Sequence, residues 1–167
     1  IVTHQAKTFG IEFDGEVRMD YAKAYKRSRQ VSNRLVKGVQ FLMKKNKIDA
    51  YEGWANITDP HTVTVDLNDG SHETLTFKNL ILAPGAVDNI LPGVELSDRV
   101  VTYESQILED SLPDRMVIVG AGAIGTEFSY ILANYGVEVT LVEYMDRMLP
   151  LEDPEVSKQL MKDYEKM

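Results

Sequence analysis

Met116-Val117-Ile118-Val119-Gly120-Ala121-Gly122-Ala123-Ile124-Gly125 decides how this chain is read. Four apolar residues form a buried strand, and a Gly-x-Gly-x-x-Gly turn then opens a helix. A second apolar strand over residues 137–142 ends on Glu143, 18 residues after the last glycine. Each part has a job in holding a dinucleotide. Gly120 allows the tight turn, Gly122 lets the backbone approach a pyrophosphate, and Gly125 brings the helix close to the strand. The pyrophosphate would rest over free amide groups at the positive helix end.

The acid at the second strand selects which dinucleotide. The Glu143 carboxylate accepts hydrogen bonds from adenosine ribose hydroxyls, whereas an NADP 2′-phosphate would face a like charge. Arg147 lies four residues on, but Asp146 beside it makes a solvated loop pair. The expectation is NAD over NADP.

The 167 residues are 44% hydrophobic, enough for one core or two partial ones. A net charge of −8 argues against a nucleic-acid partner. No apolar run approaches the ~18 residues of a membrane span, and no signal peptide is visible. There is no cysteine, so these residues carry no thiol nucleophile or thiolate metal site. His4, His61 and His72 are scattered, and no metal site is expected. The Ile1 start, and a stop at Met167 inside a second helix, lead us to read the chain as an interior segment of a larger protein.

Upstream, Asp20 reads as the N-cap of a helix running to about Lys47, roughly 40 Å long. Tyr21, Tyr25, Val31, Leu35, Val39 and Leu42 share one face, and Gly38 marks a close packing contact. Nine of the 18 basic residues lie on this helix, giving it +8 with Asp20 and leaving −16 elsewhere. Without interleaved aromatics this is a solvated face rather than a polyanion stripe. Beyond Ile48 the period changes to two. Residues 50–54, 62–67 and 73–77 read as antiparallel strands, the last two joined by an Asn68-Asp69-Gly70-Ser71 turn. Residues 79–82 read as a further buried strand leading into Ala83-Pro84-Gly85. A meander and an Ala-x-Gly turn ahead of a nucleotide-binding unit suggest an NAD domain inserted in a flavin domain.

Taken in order, these motifs resemble the flavin-dependent pyridine nucleotide–disulfide oxidoreductases, most closely their dihydrolipoamide dehydrogenase branch. The resemblance covers essentially the whole chain. Its strongest parts are Phe41-Leu42-Met43-Lys44-Lys45-Asn46-Lys47, Leu80-Ile81-Leu82-Ala83-Pro84-Gly85, Pro92-Gly93, Val101-Thr102-Tyr103-Glu104, Gly120 through Glu127, and Val137 through Glu143. It implies an α/β fold: a partial FAD-binding domain (long helix, antiparallel meander) joined to the first βαβα part of a Rossmann-like NAD-binding domain. The implied boundaries are residues 1–86 for the central part of the FAD domain, 87–113 for a linker, and 114–167 for the start of the NAD domain.

The same resemblance implies roles. Gly120, Ala121, Gly122, Ala123, Ile124, Gly125 and Glu143 would hold NAD. Ala55, in a Gly53-Trp54-Ala55 turn, and Ala83, Pro84 and Gly85 would contact FAD. Pro84 stands where the family has threonine, which deletes a donor and a hydroxyl. Glu127 would support the flavin–nicotinamide junction, and as a first-turn acid it also suits the helix dipole. No catalytic residue is expected within the chain. The family's first glycine motif for FAD, its cysteine pair, its His–Glu base and its interface domain are absent.

The implied parent enzyme moves electrons from dihydrolipoamide through a disulfide and FAD to NAD. It is a cytoplasmic homodimer (mitochondrial matrix if eukaryotic) that meets a lipoyl domain of a 2-oxoacid dehydrogenase complex, with no nucleic acid or membrane partner. The alternatives are another flavin disulfide reductase, an NADH peroxidase-type protein, and a stand-alone non-catalytic NAD-binding module.

Overall fold

A computed structural model describes residues 6–12 and 14–166. The expectations resting on Ile1, His4 and Met167 lie outside the described residues. The chain divides into two compact units, residues 29–95 and residues 1–28 with 96–167.

The first half is organised by α1 (Tyr21–Lys45) and by β1 (Gly53–Asp59), β2 (Thr62–Leu67) and β3 (His72–Thr76). Asp20 caps α1 by accepting from the Lys23 amide at 3.0 Å. At the other end the Lys47 and Ile48 amides donate back to Lys44 O and Met43 O, closing the helix through Lys47 at φ 55°. No residue of α1 is buried: Tyr21, Tyr25 and Val31 are half-buried, while Leu35, Val39 and Leu42 of the same face are exposed. Gly38 has open space around it and marks no close contact, contrary to expectation.

The three strands form an antiparallel sheet in the order β1-β2-β3. Gly70 at φ 86° makes the β2–β3 turn, and Asp69 accepts from the Ser71 amide and hydroxyl. His72 Nδ1 meets Asp66 Oδ1 at 2.7 Å across that hairpin. Val65 is the buried centre of the sheet. The first strand occupies residues 53–59 rather than 50–54. Its pairing is fixed by the Asp59–Thr62 turn, where Asp59 accepts from the His61 amide. All of β1 is exposed, so no alternation of polar and apolar residues advertises it.

The expected buried strand at residues 79–82 does not form: the segment is coil, and Ile81 is 90% exposed. A strand needs a paired neighbour, and among the described residues no strand pairs with it.

In the other unit α2 (Tyr103–Gln106) precedes β4 (Arg115–Val119), α3 (Ala123–Asn134), β5 (Glu138–Val142) and α4 (Pro154–Tyr164). Strands β4 and β5 are parallel, paired from Arg115↔Glu138 to Val119↔Val142, with α3 as the crossover. Gly136 at φ 90° ends α3, its amide and that of Val137 returning to Ala133 O and Leu132 O. Leu132, Val137, Ala121 and Ser157 form the small core. The strand expected to be buried is covered on one face only. Ile118 lies toward Gly125 of α3, while Val117 and Val119 point away and are exposed.

Candidate dinucleotide site at the glycine turn

The turn between β4 and α3 is built from three glycines with three different requirements. Gly120 has φ +105°, a conformation that side chains resist. A Cβ added to Gly125 would overlap the Gly120 carbonyl oxygen, so this glycine sets how closely helix and strand approach. Gly122 is different. Its φ of −72° suits any residue, and an added Cβ would meet open space. Nothing among the described residues asks for glycine there, which leaves room for a group from outside.

Gly122 is also the N-cap of α3, and it supplies no side-chain cap. The first-turn amides of Ala123, Ile124 and Gly125 therefore lack the partner that an N-cap side chain would give. The aligned peptide dipoles of a 12-residue helix, about three turns, stand behind them. A dinucleotide pyrophosphate fits that arrangement.

Glu143, directly after β5, is brought to the same turn. Its Oε2 accepts from the Ala121 amide at 2.6 Å and its Oε1 from the Met145 amide at 2.9 Å. These two bonds, Met145 first and Ala121 second, hold its pKa below the usual glutamate value. A carboxylate has about four lone-pair sites, so two remain for ribose hydroxyls.

Arg147 does pair with Asp146, at 3.4 Å, but the guanidinium is drawn into the loop rather than left in solvent. It donates to Pro150 O at 2.9 Å, and its side chain is 32% exposed.

Other expected residues are placed differently. Ala55 is not in a turn: it sits within β1, opposite Val65. Ala83, Pro84 and Gly85 form exposed coil with Gly85 at φ +85°. Glu127 lies beyond the first turn of α3, whose first turn holds no acid, and is exposed. Its charge helps raise the pKa of Tyr164, after the larger effect of burial. A shallow groove of about 530 Å³ at the end of α1, lined by Val39, Met43 and Ile48, holds no residue read as functional. Among the described residues no group of three or more His, Cys, Asp or Glu is placed to hold a metal ion. No described helix is long and apolar enough to cross a membrane.

Sequence reasoning did not find Leu149 and Ser157, which complete the turn. The Leu149 amide donates to Ala121 O at 2.8 Å, and the Ser157 hydroxyl donates to Leu149 O at 3.1 Å. The Asp153-Pro154 pair that starts α4 was a legible signal for the helix, though not for this contact.

A βαβ unit with such a turn, following an antiparallel meander, fits a nucleotide-binding class of protein, and sequence comparison gives the family. The pyridine nucleotide-disulphide oxidoreductase family model matches residues 3–167, and the chain belongs to that family. Among curated relatives it is 53% identical to dihydrolipoyl dehydrogenase of Mycobacterium tuberculosis, over 167 residues covering 100% of this chain and 36% of that protein. The Corynebacterium glutamicum dihydrolipoyl dehydrogenase is 53% identical over 165 residues, 99% of this chain and 35% of that one. The chain thus spans about a third of the length of the relatives it matches. Among solved structures, LpdA from Mycobacterium tuberculosis superposes with a TM-score of 0.78 at 23% identity, covering 98% of this chain and 36% of that one. The flavoprotein disulfide reductase RclA from Escherichia coli gives 0.75 at 24% identity, covering 99% and 36%. Both likenesses establish the fold: a mixed helix and strand architecture with one antiparallel and one parallel sheet.

Proposed function

We propose that this chain supplies the NAD-binding turn, and part of the flavin-binding surface, of a dihydrolipoamide dehydrogenase. The observation that carries the reading is Gly122: a helix N-cap with ordinary φ, open space beside it and no capping side chain. Gly120, Ala121, Gly122, Ala123, Ile124 and Gly125 would hold the pyrophosphate of NAD, and Glu143 the adenosine ribose. Ala55, Ala83, Pro84 and Gly85 would line the FAD side, and Glu127 would support the junction between flavin and nicotinamide.

In domain terms, residues 1–86 belong to the flavin domain and 114–167 to the NAD domain, with 87–113 between them. The flavin, when bound, carries electrons between a dithiol–disulfide pair and NAD. This chain's share is binding and orientation, since its 167 residues hold no cysteine. The overall reaction would convert dihydrolipoamide and NAD to lipoamide and NADH, in a homodimer that serves a 2-oxoacid dehydrogenase complex. Its working location would be the cytoplasm, or the mitochondrial matrix of a eukaryote.

The test is an assay of the protein at its encoded length for NADH formation from dihydrolipoamide, alongside its visible flavin spectrum. Flavin absorbance with NAD-dependent turnover is the expected result. A bound flavin with turnover on peroxide or another disulfide, and none on dihydrolipoamide, would overturn the substrate assignment.

A further inference from the structure

The loop between β5 and α4 grips Ala121 by both of its peptide groups. Glu143 takes the Ala121 amide, and the Leu149 amide holds the Ala121 carbonyl. Across a trans peptide the carbonyl and the following amide point in opposite directions. Fixing Ala121 O on Leu149 therefore aims the Gly122 N–H away from the loop. Fixing the Ala121 N–H on Glu143 aims Gly120 O the other way, toward Gly125, where the overlap with an added Cβ finds it.

Leu149 does this in a conformation that leucine resists, with φ +48°. What holds it there is its own carbonyl, which accepts from the Glu152 amide at 3.0 Å and from Ser157 Oγ at 3.1 Å. Ser157 is fully buried. Helical Ser and Thr hydroxyls usually bond a carbonyl one turn back, as Thr126 does with Gly122 O and Ser129 with Gly125 O. Ser157 passes over the carbonyl of Asp153, which accepts only its amide, and reaches eight residues back to Leu149.

We propose that Ser157 is a positioning residue for dinucleotide binding, acting through Leu149 on the Ala121–Gly122 peptide. The inference rests on the glycine turn being the NAD site. Removing the hydroxyl frees the Leu149 carbonyl, the strained residue relaxes, and its amide leaves Ala121 O. The Gly122 N–H is then no longer aimed.

The experiment is a calorimetric titration of NAD into the protein at its encoded length, with thermal unfolding measured in parallel. The variants are Ser157→Ala and Tyr164→Phe. Tyr164 also docks α4, through a 2.6 Å bond to Thr126 O, but its hydroxyl forms no hydrogen bond with the Leu149 loop among the described residues. Both substitutions lower the unfolding midpoint. Only Ser157→Ala weakens NAD, by about tenfold, while Tyr164→Phe stays within about twofold of wild type.

Equal NAD affinity in Ser157→Ala and wild type, or equal losses in the two variants, would overturn the positioning role while leaving the NAD site standing. Failure of the wild type to bind NAD would remove the site, and this inference with it. If Ser157→Ala does not fold, the near-isosteric Ser157→Cys, read on the same scale, decides by the same criterion.

Discussion

Gly120, Gly122 and Gly125 fail in different ways when given a side chain. Gly125→Ala drives a Cβ into backbone, and we expect it to destabilise the fold by about 1–3 kcal/mol or more. Gly122→Val meets open space with a permitted φ, so thermal unfolding should change by under about 1 kcal/mol while NAD affinity collapses. Calorimetry and a melting curve on both variants separate the two roles. Glu143 carries a pH dependence. Its folded pKa is depressed, so its bonds to Ala121 and Met145 contribute fully above the ordinary glutamate pKa and are lost as pH falls through the lowered value. Glu143→Gln should therefore flatten the acid limb of a melting-temperature profile below about pH 4.5. It should also narrow the preference for NAD over NADP. The glycines and the acid were legible because their spacing is set by the turn itself. The clasp through Leu149 and Ser157 was not, because it joins residues 28 and 36 positions beyond Ala121 through a backbone amide that any sequence carries and a hydroxyl that bonds eight residues back instead of one turn back.

At the scale of the element, α1 was readable from end to end, since Asp20 and the apolar period mark it without help from other elements. Its closure at Lys47 offers a direct check. A lysine at φ 55° resists its conformation, whereas glycine takes it freely. Lys47→Gly should stabilise the protein by about 1 kcal/mol, a rise of about 3 °C in the unfolding midpoint. An unchanged or lower midpoint would mean that the closure is not strained. The strands were less legible. β2 and β3 follow from their turn, but β1 is defined only by its partner, with Gly53 opposite Leu67 and Ile57 opposite Val63. Conversely, Leu80-Ile81-Leu82 has strand composition and no strand beside it. Composition proposes a strand; pairing makes one.

For the molecule as a whole, the two units differ in what they bring. One contains the glycine turn, Glu143 and its clasp. The other contains α1 from Arg29 onward and the meander, with Trp54 and Ile81 left open to solvent. Such apolar exposure predicts that the 167 residues expressed alone will bind a hydrophobic dye such as anilinonaphthalene sulfonate and unfold over a broad range. A sharp transition without dye binding would show instead a self-sufficient module. The chain's membership of its family rests on the whole sequence, but the proposed function rests on one turn. The most direct test is a calorimetric comparison of NAD and NADP binding to the protein at its encoded length, wild type beside Gly122→Val. We predict that the wild type binds NAD in preference to NADP and that Gly122→Val keeps its melting curve and loses both. Undiminished NAD affinity in a folded Gly122→Val protein would contradict the assignment of the pyrophosphate to this turn.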